Sequence, residues 1–237
     1  MSEQHLIPSS EFYDTIINSY ASVFEKRKKY NQAVDNYLKL HSDINAFDKI
    51  LDIGSGTGER IANLFPNTSQ IYAIEESRNM CTKLRQNRRI AKVFQSNVSN
   101  LNMNGLADTF DLVTMLWNVP GHVNNHLTLF NLCHKMLKSG GRLIFDVNNP
   151  FNLKSYGVKS FWSNFSYFYI HPREKRRDFN LTFEGQTTVV HFSLDQHYLK
   201  LLKNLGFKDI ELKYFDYETG ELVGRFMGQI LIDAVKA

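Results

Sequence analysis

From Lys49 onward, short and nearly continuous apolar runs alternate with segments of helical period: KILDIG, GERIANLF, QIYAIE, SRNMCTKLRQN, KVFQSN, FDLVTMLW, NHLTLFNLCHKMLK and GRLIFDV. Strands that are apolar on both faces must be covered on both faces, and intervening helices do this when the strands run parallel. The alternation predicts an α/β chain with a doubly wound parallel sheet. One helix should close at Lys138, where Ser139-Gly140-Gly141 turns the chain into a strand from Arg142 to Val147.

Outside this stretch the texture differs. Before it, apolar residues at Phe12, Ile16, Tyr20, Val23 and Phe24, then at Val34, Tyr37, Leu38 and Ile44, recur at the spacings of amphipathic helices. After Asn148, SFWSNFSYFYIH, RRDFNLTF and TTVVHF are rich in aromatic and β-branched residues and are separated by HPREKR and EGQ, which predicts an antiparallel hairpin or small meander. A helix from Asp195 to Leu205 stops at Gly206, and the strands DIELKYF and MGQILIDAVK flank a turn at Glu218-Thr219-Gly220. No repeat or linker composition interrupts the 237 residues, so one domain with an insertion is expected.

Charge and cysteine content narrow the setting. The 28 Lys+Arg exceed the 24 Asp+Glu by only four, a modest excess for a protein that tracks phosphates. Cys81 and Cys133 form no Cys-x-x-Cys pair and have no His at ligand spacing, so buried reduced thiols and no metal site are expected. The N-terminal MSEQHLIPSSEFYD lacks the basic and apolar regions of a leader, and no apolar run reaches the roughly 18 residues of a membrane span. A cytoplasmic protein is the expectation.

Within the alternating stretch, Ile50-Leu51-Asp52-Ile53-Gly54-Ser55-Gly56-Thr57-Gly58 carries a strand into a glycine-rich turn and then a helix. Glycines there let backbone approach a ligand and present N–H groups at a helix start, although a tight strand-to-helix connection uses the same residues. The next strand ends on Glu75, twenty-one positions after Gly54, where a carboxylate can accept both ribose hydroxyls of a nucleoside. Glu59 after Gly58 departs from G-x-G-x-x-G, which disfavours a dinucleotide clamp.

These stretches resemble the class I S-adenosylmethionine-dependent methyltransferases. ILDIGSGTG resembles the first motif of that family, IYAIEESRNM the second, VFQSNVSNL the third, FDLVTMLWNVPGHV the fourth and LKSGGRLIFDV the fifth, so the likeness runs from Ile50 to Val147. It implies a Rossmann-like, seven-stranded, mostly parallel sheet with N-terminal helices and a small antiparallel β insertion. It also implies S-adenosylmethionine as cofactor and S-adenosylhomocysteine as product. By the resemblance, Gly54, Ser55 and Gly56 face the methionine part, Glu75 the ribose and Met80 the adenine ring; Asn97 and Val98 read the adenine edge, and Leu116 and Trp117 border the sulfonium. Family members usually carry Asp where Asn97 stands, but an amide oxygen can still accept from the adenine amino group. Tyr13 and Tyr20, seven apart on one helical face, would close as a lid; core packing gives the same spacing. The segments then read as an N-terminal helical lid over 1–46, a cofactor-binding core over 47–148, a substrate-side β insertion over 149–194, and a C-terminal helix and hairpin of the core over 195–237.

Methyl transfer is an in-line displacement at a positively charged sulfur, so the protein must align the nucleophile, exclude water and remove a proton where one leaves. His122, in the turn after the fourth strand, is the candidate base, its other reading being a loop histidine bonded to backbone. Tyr13, Asn118, Asn149, and Tyr169 with His171 on one face of the insertion, are the candidate substrate contacts. Basic residues at Lys26 to Lys29 and at Arg173, Lys175, Arg176 and Arg177 suit an anionic substrate. The expected function is methylation of an oxygen or nitrogen of a small metabolite. Two alternatives stand beside it. An RNA methyltransferase would account for the basic clusters, but Asn118-Val119-Pro120-Gly121 stands where an amino-methylating nucleic-acid enzyme is expected to have Asn/Asp-Pro-Pro-Tyr. A non-catalytic cofactor-binding scaffold subunit would keep the fold alone, and the intact glycine loop and Glu75 speak against it.

Overall fold

The computed structural model describes residues 6–41, 47–66, 68, 70–101, 103, 105–171 and 176–237, without the side chains of Tyr20, Ala21, Val23, His41 and Ser99. The apolar runs form strands β1 (Lys49–Ile53), β2 (Gln70–Glu75), β3 (Ile90–Gln95), β4 (Phe110–Met115) and β5 (Leu137–Val147), followed by β6 (Arg177–Phe183), β7 (Gln186–Phe192), β8 (Phe207–Phe215) and β9 (Gln229–Lys236). Seven of them make one sheet in the order β3-β2-β1-β4-β5-β9-β8, parallel from β3 to β5, with β9 antiparallel to both neighbours. The order reverses between β1 and β4, so the loops leaving these two strands lie side by side at the carboxyl edge, where doubly wound sheets bind ligands.

Period-two alternation divides the core between the two faces. Leu51, Val113 and Phe145 pack with one cluster, whereas their neighbours Ile50, Leu112 and Ile144 pack with the other. Helices α6 (His126–Met136) and α8 (Asp195–Asn204) supply Phe130, Cys133, Tyr198 and Leu202 to the first. The second takes Ile61 from α4 (Glu59–Leu64) and Tyr30, Val34 and Leu38 from α3 (Lys28–His41). α5 (Arg78–Leu84) follows β2, and α1 (Ser9–Thr15) and α2 (Tyr20–Lys26) precede α3. The chain breaks between α1 and α2 at Ile16-Ile17-Asn18-Ser19, a β-branched pair followed by two cap-forming residues. Tyr13 and Tyr20 therefore stand on different helices and share no face; the Tyr20 side chain and Ile44 lie outside the described residues.

Two expectations need correction. The run SFWSNFSYFYI is not a strand but the body of α7 (Leu153–Ile170), bent at Gly157 (φ 75°, ψ 168°). Asn152 caps it, its side chain accepting from the Ser155 N–H at 3.1 Å, and the buried residues Asn164 and Phe168 stand four apart. Aromatic side chains suit either element, and with Val158 and Ile170 as its sole β-branched residues the segment carries little of the strand signal that β6 and β7 have. The antiparallel insertion is thus the hairpin β6–β7, closed at Glu184-Gly185. Helix α6 also ends at Met136 rather than Lys138, because Leu137 already pairs with Phe110 of β4. Both cysteines are buried, and among the described residues no helix is long and apolar enough to cross a membrane.

Candidate functional site

The glycine turn after β1 is held from both sides. Gly54 has φ 71° and donates to the Ile74 carbonyl at 2.8 Å; a Cβ placed on it would lie 2.5 Å from Val119 Cγ2, so the loop after β4 packs against bare backbone. The Glu75 carboxylate, at the end of β2, accepts three backbone N–H groups: Gly56 at 2.8 Å, and Glu76 and Ser77 at 2.9 Å each. Burial pushes the Glu75 carboxyl up, and these donors offset part of the rise. Ser77 caps α5, accepting from the Met80 N–H, and donates to Asp14 Oδ1, which ties α1 to the start of α5.

Above this turn lies a cavity of about 100 Å³, bordered by Gly54, Gly56, Glu75, Met80, Asn97, Val98 and Leu116 together with Tyr13 and His122. Bare backbone, one carboxylate, the apolar walls of Ile74, Met80 and Val98 and the polar Asn97 are a set that can take a nucleoside. Gly54, Leu116 and Trp117 also border a wider space of about 540 Å³, and Ser55 and Asp52 line that space rather than the first. Ser55 Oγ donates to the Asp52 carbonyl at 2.8 Å, so its hydroxyl is already engaged. The Asp52 carboxylate accepts from Thr114 Oγ1 at 2.6 Å, and burial pushes it to about 6.

A strained turn follows β4. Trp117 (φ 67°) and Asn118 (φ 60°) both sit in the left-handed region, where non-glycine residues are rare. Asp146 at the end of β5 holds them: its Oδ1 accepts from the Asn118 N–H at 3.0 Å and its Oδ2 from the Tyr30 hydroxyl at 2.6 Å. The Trp117 ring stacks on Phe24 and its Nε1 donates to Asn31 at 2.8 Å. This turn places His122, whose Nδ1 lies 3.0 Å from Ser9 Oγ and whose Nε2 lies 3.2 Å from the Tyr13 hydroxyl. Desolvation lowers the His122 pKa to about 4, so the ring is neutral at pH 7.

That depression has a stability consequence. Between pH 6.5 and about 4 the unfolded chain takes up a proton that folded His122 refuses, so stability is lost as pH falls through this window. From pH 7.5 to pH 5 the loss is about 2 kcal/mol. We expect His122→Gln, which lacks this titration, to gain about 4–6 °C in Tm relative to wild type over that change. Parallel pH profiles in thermal melts would contradict the assignment.

Tyr13, Trp117 and His122 border a further cavity, of about 290 Å³, on their other side. Arg27, Tyr30, Asn118, Asp146, Asn148, Tyr156 and Tyr217 contribute its polar lining, and Leu181 and Val190 of the hairpin an apolar part. Asn118 is thus brought to the site, with its Oδ1 accepting from the Asn148 N–H at 2.9 Å. Asn149 is not. It is 2% exposed, its Nδ2 donates to the Arg225 and Gly228 carbonyls, and its N–H donates to Gln229, so it joins β5 to the segment before β9. Tyr169 is 77% exposed and His171 is exposed at the end of α7, because the helical period turns both away from the cavity that a strand would have faced. Arg176 bonds to Asn124 and Arg177 to Ser163 and Asn164, whereas Arg173 and Lys175 lie outside the described residues.

Ser9, Tyr30, Asp146, Tyr156 and Tyr217 join the site without having been legible as candidates, and of the basic cluster Lys26 to Lys29 only Arg27 lines the cavity. Asp146 had a signal, a lone charge inside the apolar run RLIFDV. Arg27 was hidden in a cluster whose other members, Lys26, Lys28 and Lys29, are exposed. The three tyrosines carry no local signal.

Comparison with known proteins agrees with this geometry. Residues 51–145 match the model of a methyltransferase domain. No curated protein sequence matches the chain significantly. Among solved structures, a Thermotoga maritima S-adenosylmethionine-dependent methyltransferase, described as a possible histamine N-methyltransferase, superposes with a TM-score of 0.66 at 16% identity, over 96% of this chain and 99% of that one. Phosphoethanolamine N-methyltransferase 2 of Haemonchus contortus, in complex with phosphomonomethylethanolamine and S-adenosylhomocysteine, gives 0.65 at 16% identity, over 96% of this chain and 58% of that one. The protein bound by the Trm112 methyltransferase activator of Haloferax volcanii gives 0.64 at 11% identity, over 94% and 96%. Residues 51–145 are a methyltransferase domain, and the strand order and the glycine turn leading from β1 are those of the class I S-adenosylmethionine-dependent methyltransferase fold.

Proposed function

We propose that this enzyme methylates an oxygen or nitrogen of a small metabolite, with the cofactor in the glycine-turn cavity and the acceptor in the 290 Å³ cavity beside it. One observation carries the reading: Tyr13, Trp117 and His122 border both cavities, so ligands in the two would meet at a single wall. Gly54 and Gly56 hold the amino-acid part of the cofactor, with Ser55 facing the adjoining wider space, Glu75 holds the ribose, and Met80, Asn97 and Val98 the adenine, with Leu116 toward the sulfur. When bound, the cofactor supplies a methyl group on a positively charged sulfur. The chain's own task is alignment and exclusion of water. His122, at about 4, is a weak base; it suits an acceptor that already offers a lone pair, and it holds Tyr13 at the wall beside that acceptor and Ser9 on the cofactor side. In this reading 1–46 closes the site, 47–148 takes the cofactor, 149–194 shapes the acceptor side and 195–237 completes the sheet.

The size of the acceptor cavity and the small amines named for two of the structural neighbours support a metabolite over RNA. Incubating the enzyme with methyl-tritiated cofactor and either a metabolite filtrate below 3 kDa or total RNA tests it. Label is expected in the filtrate, unaffected by ribonuclease and weakly affected by salt. Label in RNA that is lost on ribonuclease treatment would overturn the reading.

A further inference from the structure

We propose that the acceptor cavity recognises its ligand through a carboxylate, bound by Arg27, Asn148 and Tyr156; this rests on the small-molecule reading above. Arg27 stands between α2 and α3 with its guanidinium 3.8 Å from the centroid of the Tyr217 ring. Among the described residues its guanidinium meets no carboxylate and no hydrogen-bond acceptor, unlike Arg60, Arg142, Arg176, Arg177 and Arg225. A cation left without an anion in the wall of a cavity is a recognition element.

Two neutral donors accompany it. Asn148 Oδ1 accepts from the Tyr217 hydroxyl at 3.0 Å, which leaves the amide NH₂ unspent. The Tyr156 oxygen accepts from Gln229 Nε2 at 3.0 Å, which leaves its proton unspent. The carboxylate of Asp146, by contrast, has both oxygens committed, to the Asn118 N–H and the Tyr30 hydroxyl. The polar part of the cavity therefore presents one cation and two unspent donors, and its complement is an anion. One guanidinium with two neutral donors matches a single negative charge; a dianion would add a second charge near buried Asp146 with no cation to balance it. Leu181 and Val190 of the hairpin give the carbon body of such an acid its apolar wall.

The test is calorimetric titration of the full-length enzyme, saturated with S-adenosylhomocysteine, with 3-phenylpropionate, its neutral amide 3-phenylpropanamide, and the dianion 2-phenylethyl phosphate. We expect the acid to bind at least tenfold more tightly than the amide or the phosphate. Arg27→Gln should erase the preference for the acid while leaving affinity for S-adenosylhomocysteine unchanged, and Tyr156→Phe should weaken the acid about threefold without affecting the amide. Leu181→Trp should weaken acid and amide alike. Equal binding of acid and amide by wild type, or a preference that survives Arg27→Gln, overturns the carboxylate assignment, as does tighter binding of the phosphate. If Leu181→Trp still blocks acid and amide in that case, the small-molecule cavity stands and only the anion falls. If neither acid nor amide binds the wild type, both readings fall.

Discussion

Glu75→Ala is expected to weaken binding of S-adenosylhomocysteine by at least 100-fold in calorimetric titration, the largest loss of affinity for any single substitution in the site. Two effects add. If the carboxylate accepts the ribose hydroxyls, as proposed, the variant loses hydrogen bonds to a charged group worth about 1.5–3 kcal/mol each. It also releases the Gly56, Glu76 and Ser77 N–H groups, which Glu75 gathers into one cluster, so the glycine turn loses its anchor to β2. Glu75→Gln separates the two effects. An amide keeps one acceptor oxygen for Glu76 and Ser77 but turns an NH₂ group toward the Gly56 N–H or the ligand, so an intermediate loss of about tenfold is expected. Affinity within threefold of wild type in Glu75→Ala would remove Glu75 from the cofactor site.

The two halves of the site differ in how far the sequence reveals them, and the difference is one of distance along the chain. The cofactor side is locally encoded. A strand apolar on both faces, glycines that must adopt positive φ, and a carboxylate at the end of the next strand all lie between Lys49 and Glu75, and β1 and β2 pair in register from Lys49 with Gln70 to Ile53 with Ile74. The acceptor side is assembled from residues that no short pattern connects. Tyr30 reaches Asp146, 116 positions away, and Tyr217 reaches Asn148, 69 away. Asn149, adjacent to a true cavity residue, is consumed by the carbonyls of Arg225 and Gly228, which the sequence gives no reason to place there. For α7 propensity misleads: its aromatic residues suit a strand as well as a helix, and only the Asn152 cap and the four-residue interval between Asn164 and Phe168 mark the helix.

Asp146→Ala should cost about 3–5 kcal/mol of stability and lower Tm by roughly 10 °C, the largest destabilisation expected in the site. The carboxylate is 4% exposed and accepts from the Tyr30 hydroxyl and from the Asn118 N–H, so alanine strands buried donors on two elements at once. It also removes what holds two non-glycine residues at φ 67° and φ 60°, and a turn released from that strain withdraws Trp117 and His122 from the wall shared by the cavities. The competing effect is that burial already pushes the Asp146 carboxyl up, which is the cost of desolvating a charge. Asp146→Asn removes the charge and keeps an acceptor, so the saved desolvation offsets part of the lost bonding and the loss should stay below about half that of alanine. Tyr30→Phe in the wild-type background should cost about 1.5–3 kcal/mol, the worth of a hydrogen bond to a charged group. In the Asp146→Ala background the same change should cost little, because the hydroxyl has already lost its acceptor. Additive losses in that double-mutant cycle, measured by denaturant unfolding, would mean that Tyr30 and Asp146 stabilise the fold separately, and the strained turn would then need another anchor.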